Sequence, residues 1–196
     1  MPQQFQFLVD FTCAVLLALG AIGANRFRVW WVGRNSSPRA LRRSAEIQDV
    51  LNQLTFDAHA QRITLLQASN CGGLLDPAEP WNRTILYEAC SDRLGSRKAG
   101  WTTQPIDGPY RQVLAKALDA EVGHVFRTED LPRSSMLRTI YETEEIAEGL
   151  FAVITHRKNR IWYLSLNHLE PLQGLDADQR HLHVSLALSR LKSLLT

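Results

Sequence analysis

The sequence of 196 residues predicts an α+β domain, an antiparallel sheet flanked by helices, behind one N-terminal transmembrane helix. Three observations carry this. A nearly unbroken apolar run, Phe11 to Ala24, is followed by Arg26, Arg28, Arg34, Arg39, Arg42 and Arg43 with no acidic residue among them. Downstream, segments of helical and of strand periodicity alternate. Finally, the short polar stretch His156–Asn159 joins two apolar runs, which makes a hairpin and hence antiparallel neighbours.

The apolar stretch from Phe7 to Ala24 spans roughly 27 Å as a helix, against a hydrocarbon core of about 30 Å. Phe11, Leu16, Leu17, Leu19 and Ile22 form its membrane-facing body, and Trp30 and Trp31 suit the inner interfacial belt. The N-terminal side carries no Lys or Arg, so the six arginines set the orientation: N-terminus outside, C-terminal domain in the cytoplasm. The expected location is the inner (cytoplasmic) membrane, single-pass, with lipid as a first partner. A cleaved signal peptide is the main competitor, but Met1–Gln4 supplies no positive n-region. The predicted organisation is an anchor with its basic flank over 1–34, a linker over 35–43 and a cytoplasmic domain over 44–196.

Roughly 150 residues after the anchor suffice for one ordinary core without staples. The net charge of +2 owes its basic excess to the juxtamembrane segment, which argues topology and anionic lipid rather than nucleic acid. Three cysteines, one within the apolar run, show no CxxC and no metal-ligand spacing. His181 and His183, two apart, fall on different helix faces. No metal and no cofactor is expected, although a small-molecule ligand of unknown identity stays open.

Along the domain, Ile47, Val50, Leu51, Leu54 and Ala58 make a helical stripe. Arg62–Gln67 and Thr84–Cys90 read as strands, and 91–104 as an exposed connection. Tyr110, Val113, Leu114, Ala117 and Leu118 mark a second helix, ending near Gly123, and His124–Arg127 a short strand. Ser134 or Ser135 caps a third helix through Tyr141. The acidic run Glu142, Glu144, Glu145 and Glu148 reads as a solvated face. Leu150–Thr155 and Ile161–Leu166 are hairpin strands, and a closing amphipathic helix starts at Asp176 or Asp178. Its apolar residues occupy two faces, Leu182/Leu186 and Val184/Leu188/Leu191/Leu195, so it suits pairing with a copy of itself or with a partner.

This order resembles a GAF domain, a small-molecule sensor fold related to PAS. The likeness rests on the first helix Ile47–Leu54, then Ala60-Gln-Arg-Ile-Thr-Leu-Leu-Gln running into the turn Asn70-Cys-Gly-Gly73. It continues at Leu131-Pro and Gly149-Leu-Phe-Ala-Val-Ile, and closes on a charged hairpin and a helix. Two departures stand out: Cys71 inside the turn, and Arg160-Ile-Trp-Tyr-Leu where a glycine is usual. The resemblance implies a pocket between the sheet and the helices over one face. Its candidate ligand-binding residues here are Asn70, Gly72, Gly73, Tyr87, Glu88, Tyr110 and Tyr141.

The sequence has no G-x-S-x-G elbow, P-loop or dinucleotide fingerprint, so a catalytic role is not expected. A thiol-based GAF-like reductase using Cys71 and Cys90 is a minor alternative. The preferred expectation is a non-catalytic single-span protein whose GAF-like domain docks onto partner proteins as an accessory subunit of a membrane complex. The alternative is a membrane-anchored small-molecule sensor that signals through a separate output protein.

Overall fold

The computed structural model describes residues 38–70, 81–91, 94–96, 103–157, 159–173 and 175–196. The chain divides into two units, Met1–Ser44 and Ala45–Thr196. The expected anchor with its basic flank, 1–34, lies outside the described residues. Among those described, no helix is long and apolar enough to cross a membrane.

Helix α1 covers 38–57, and its residues from Ala45 onward belong to the second unit. It is followed by β1 (Arg62–Asn70), β2 (Trp81–Cys90), β3 (Thr103–Ile106) and α2 (Gly108–Asp119). Next come β4 (His124–Arg127), a single 3-10 turn and α3 (Met136–Thr143). Strands β5 (Glu148–Arg157) and β6 (Arg160–His168) form the expected hairpin, and α4 (Leu175–Leu195) closes the chain. The six strands make one sheet in the order β3-β2-β1-β6-β5-β4, and every pairing is antiparallel. Strand β3 was not expected from sequence: it replaces the end of the exposed connection.

Alternation sorts the strands onto two cores. Ile63, Leu65, Leu164, Leu166, Leu150 and Ala152 pack against Val50, Leu51 and Leu54 of α1 and Val184 and Leu191 of α4. Leu66, Tyr163 and Phe151 pack on the other face against Tyr110, Val113 and Leu114 of α2 and Leu137, Ile140 and Tyr141 of α3. The two apolar faces of α4 are thereby separated. Val184 and Leu191 are fully buried, whereas Leu182 and Leu186 remain 59% and 62% exposed.

Two irregularities reset the alternation, between Leu65 and Leu66 opposite β2 and between Val153 and Thr155 in β5. In the first, Tyr87 faces Leu65 and Ile85 faces Leu66, so Leu86 is the extra residue. Both inner helices are held at their N-termini by one carboxylate. The Asp107 carboxylate accepts the Tyr110 N–H at 2.8 Å and the Met136 N–H at 2.5 Å, capping α2 and tying α3 to it. Ser135 caps α3 itself, accepting from the Leu137 N–H at 3.1 Å.

Gly149 is a point of close approach. A Cβ there would sit 2.5 Å from Phe126 Cζ and 2.7 Å from Tyr141 Cε2, atoms of rings that are themselves locked in the core. Gly149→Ala is therefore expected to cost about 1–3 kcal/mol by overpacking, read as a lower urea midpoint. Gly108→Ala, where a Cβ meets nothing within 4 Å, should stay within about 0.5 kcal/mol of the parent. Equal midpoints for the two variants would refute this account of the inner core.

Candidate functional site

The inner core is dominated by aromatic rings. Phe151, on β5, lies 5.3 Å from Tyr110, 5.0 Å edge-on from Phe126 and 5.3 Å from Tyr163, centroid to centroid. Phe126 stacks on Tyr141 at 5.6 Å. The Tyr110 and Tyr163 hydroxyls share a hydrogen bond of 2.7 Å, and the Tyr141 hydroxyl donates to Asn167 Oδ1 at 2.8 Å. These bonds give each buried phenol a partner, which its burial requires. Burial raises the pKa of Tyr141 and Tyr163 above the ordinary phenol value, so both stay neutral across the physiological range.

Beside the rings is a small, partly open cavity of about 30 Å³, room for a water molecule. Its lining is unusually charged for a core: Arg62, Arg83, Glu88 and Glu144 accompany Tyr110, Tyr141, Ser165 and Asn167. Arg62 starts β1 and is 3% exposed. Its guanidinium makes a fork to Glu144, Nη1 to Oε2 at 2.6 Å and Nη2 to Oε1 at 2.9 Å. Its Nε lies 3.4 Å from Glu88 Oε1. Burial by itself would lower the Arg62 pKa, but the Glu144 and Glu88 carboxylates outweigh it and raise it. Arg62 Nη2 also approaches the Gly95 carbonyl at 3.4 Å, and Ser96 Oγ donates to Glu88 Oε2 at 2.6 Å. One guanidinium thus joins β1, β2, the segment after β2 and the turn after α3.

Arg83, on β2, crosses the Tyr110 ring at 5.3 Å from its centroid. It donates to Gln104 Oε1 at 2.9 Å and to the Tyr110 hydroxyl at 3.4 Å. Burial disfavours its charge; the phenols of Tyr110 and Tyr163 more than compensate, so its pKa is raised. A cation held over an aromatic face and forked between two acceptors is a fixed element of the wall.

Of the residues named from sequence, Tyr110, Tyr141 and Glu88 line this cavity. Tyr87 does not: it pairs opposite Leu65 and packs on the outer core with α1 and α4. Asn70 ends β1, almost fully buried, where its carbonyl accepts from Asn159 Nδ2 at 2.7 Å. Gly72 and Gly73 lie outside the described residues, as does Cys71. Sequence reasoning missed Arg62, Arg83, Glu144, Ser165 and Asn167. The available signal was an arginine in each of two strands at the alternation of inward positions, Arg62 with Thr64 and Leu66, and Arg83 with Ile85. The acidic run after α3 is also corrected: Glu144 and Glu148 are not on a solvated face but in buried ion pairs, with Arg62 and Arg180 respectively.

Cys90 is a free thiol whose pKa is raised, first by burial and then by the Glu88 carboxylate. This is the reverse of the activation a nucleophilic thiolate requires. Among the described residues no group of three or more His, Cys, Asp or Glu could hold a metal ion.

A six-stranded antiparallel sheet with α1 and α4 behind it and α2 and α3 over a central pocket is a GAF-like fold. A far-red cyanobacteriochrome photoreceptor superposes with a TM-score of 0.54 at 10% identity, covering 87% of this chain and 99% of that one. The red/green cyanobacteriochrome NpR6012g4 gives 0.51 at 8% identity, over 77% of this chain and 94% of its own. GAF3 from Slr1393 of Synechocystis gives 0.50 at 9% identity, over 77% and 94%. Likeness at such identities is a likeness of fold. No family model matches the sequence, and no curated protein matches it.

Proposed function

We propose that this chain is a non-catalytic, single-span membrane protein whose cytoplasmic GAF-like domain works by docking onto partner proteins, as an accessory subunit of a membrane complex. The observation that supports this most is the filling of the pocket. Tyr110, Tyr141, Tyr163 and Phe151 pack between sheet and helices, and the cavity that described residues line beside them is about 30 Å³, where small-molecule sites usually offer about 300–1,000 Å³. Leu182 and Leu186, one turn apart and more than half exposed on α4, supply apolar contact area on the other side of the sheet. The raised Cys90 pKa weighs against the reductase alternative.

A second reading keeps one specific support. Two guanidinium groups and two carboxylates around one cavity suit a compact polar ligand, which would make the domain a sensor acting through a separate output protein. Native mass measurement on the full-length protein, extracted from its own membrane in mild detergent, separates the two. Co-extracted protein subunits without a small adduct are the expected result. A retained adduct on the order of a few hundred daltons per chain would replace docking with sensing.

A further inference from the structure

Helix α4 carries an unpartnered outer face. Its buried stripe, Val184, Ala187 and Leu191, packs in the outer core. At about 100° of turn per residue, Leu182 and Leu186 fall on the opposite side of the helix, where both are exposed. Asp178 lies four residues before Leu182, and Arg190 four residues after Leu186; both are exposed. Asp178, Leu182, Leu186 and Arg190 therefore form one continuous ridge along the helix. Beside it run Ser185, Ser189 and Ser193, exposed and small, which leave a groove where a second ridge can seat. Neither Asp178 nor Arg190 carries an ion pair among the described residues.

We propose that this ridge pairs antiparallel with the same ridge of a second copy of the chain. The order acid, leucine, leucine, base is its own complement. Turned end to end, it sets Asp178 against Arg190 of the second copy and Leu182 against Leu186 of the second copy, and the reverse contacts form as well. A two-fold interface demands that relation, residue i meeting j while j meets i. Ridges of this spacing interdigitate when two helices cross at about −50°. A parallel pair would instead set Asp178 on Asp178 and Arg190 on Arg190, like charge on like. An anionic lipid surface would gain at Arg190 and lose at Asp178. The contact is one helix wide, which places it in the small, transient class, below about 1,200 Å². The proposal rests on the reading of this domain as a docking module and names the occupant of its α4 face.

The test places donor- and acceptor-labelled full-length protein together in phosphatidylcholine vesicles with no other protein, and reads pairing as energy transfer against protein-to-lipid ratio. Asp178→Arg alone, or Arg190→Asp alone, turns both attractions of the dimer into repulsions and should weaken pairing about tenfold at low salt. The two single variants mixed, one as donor and the other as acceptor, should pair as well as the parent. So should the double variant with itself. Leu186→Asp should weaken pairing by more than about tenfold. Acid early and base late in a helix also suit its dipole, but that effect is internal to one chain, and mixing two variants does not restore it. Absent energy transfer, transfer that both single reversals leave unchanged, or a mixture no better than either variant alone would each overturn the proposal. Native mass then reads the docking function separately: a different co-extracted subunit would keep that reading without a second copy. Loss of that subunit in Leu186→Asp would make it the occupant of this face.

Discussion

Replacing Arg180 by Met should cost about 3–5 kcal/mol of folding stability, the range for breaking a buried ion pair. Arg180 reaches from α4 to Glu148, the first residue of β5, and both side chains are nearly excluded from water at 3% and 5% exposure. Removing the cation leaves a carboxylate in the outer core with its Coulombic partner gone and no compensating solvent. Removing both charges is a different matter. Glu148→Leu combined with Arg180→Met deletes the desolvation cost together with the attraction, and should recover most of the loss. Urea titrations of the parent, R180M, E148L and the double variant form the cycle. A single variant within about 1 kcal/mol of the parent would show that the pair contributes nothing to holding α4 on the sheet.

Acid should destabilise the domain well before its carboxylates titrate, through His168. This residue is 1% exposed and pairs opposite Glu148 at the end of the β5–β6 ladder. Neither ring nitrogen finds a hydrogen-bond partner of good geometry. Burial, with the Arg180 charge adding to it, lowers its pKa from 6.5 to about 4, and the His59 backbone offsets only part of this. The unfolded chain, with an ordinary imidazole, binds the proton first as pH falls. Stability from this group is therefore complete above about pH 6.5, and is lost progressively down to about pH 4. At about 1.4 kcal/mol per pH unit, the total is on the order of 3 kcal/mol. His168→Leu removes the proton site and should flatten the stability profile between pH 4 and 6.5. It should cost little at neutral pH, because the neutral ring makes no hydrogen bond of good geometry. A profile that keeps its slope in H168L would assign the acid sensitivity elsewhere, Glu148 and its Arg180 partner being the nearest candidates.

The errors in reading the site have a common origin in distance along the chain. Tyr87 and Glu88 are adjacent, and alternation allows only one of them to face the pocket. Which one does so was decided by the irregularity opposite Leu65 and Leu66, which puts Glu88 with Ile85 and Arg83 and sends Tyr87 to the outer core. A bulge depends on the pairing of two strands, and neither strand encodes it alone. Glu144 and Glu148 read as solvent-facing because nothing near them in sequence is a partner. Arg62 lies 82 residues before Glu144, and Arg180 lies 32 after Glu148. Strand β3, Thr-Gln-Pro-Ile, is four residues long with a proline, a composition tolerated only at a sheet edge, which is where it sits.

Short motifs carried the resemblance to the GAF fold, and local pattern by itself determined the α+β class, most of the element order, the β5–β6 hairpin and a serine cap, Ser134 or Ser135, on the third helix. These depend on periodicities of 2 and 3.6 and on capping, which are interactions among residues close in sequence. The same pattern gave the apolar run and its arginine flank, on which the membrane topology is proposed. The tertiary structure decided the rest: that aromatic rings pack in the inner core, that two arginines are buried beside them, and that among the described leucines of the closing helix Leu182 and Leu186 stay exposed. Each depends on which side chains meet across the sheet. Burial converts a charge from a solubility device into a structural one only when a partner from a distant segment arrives to neutralise it.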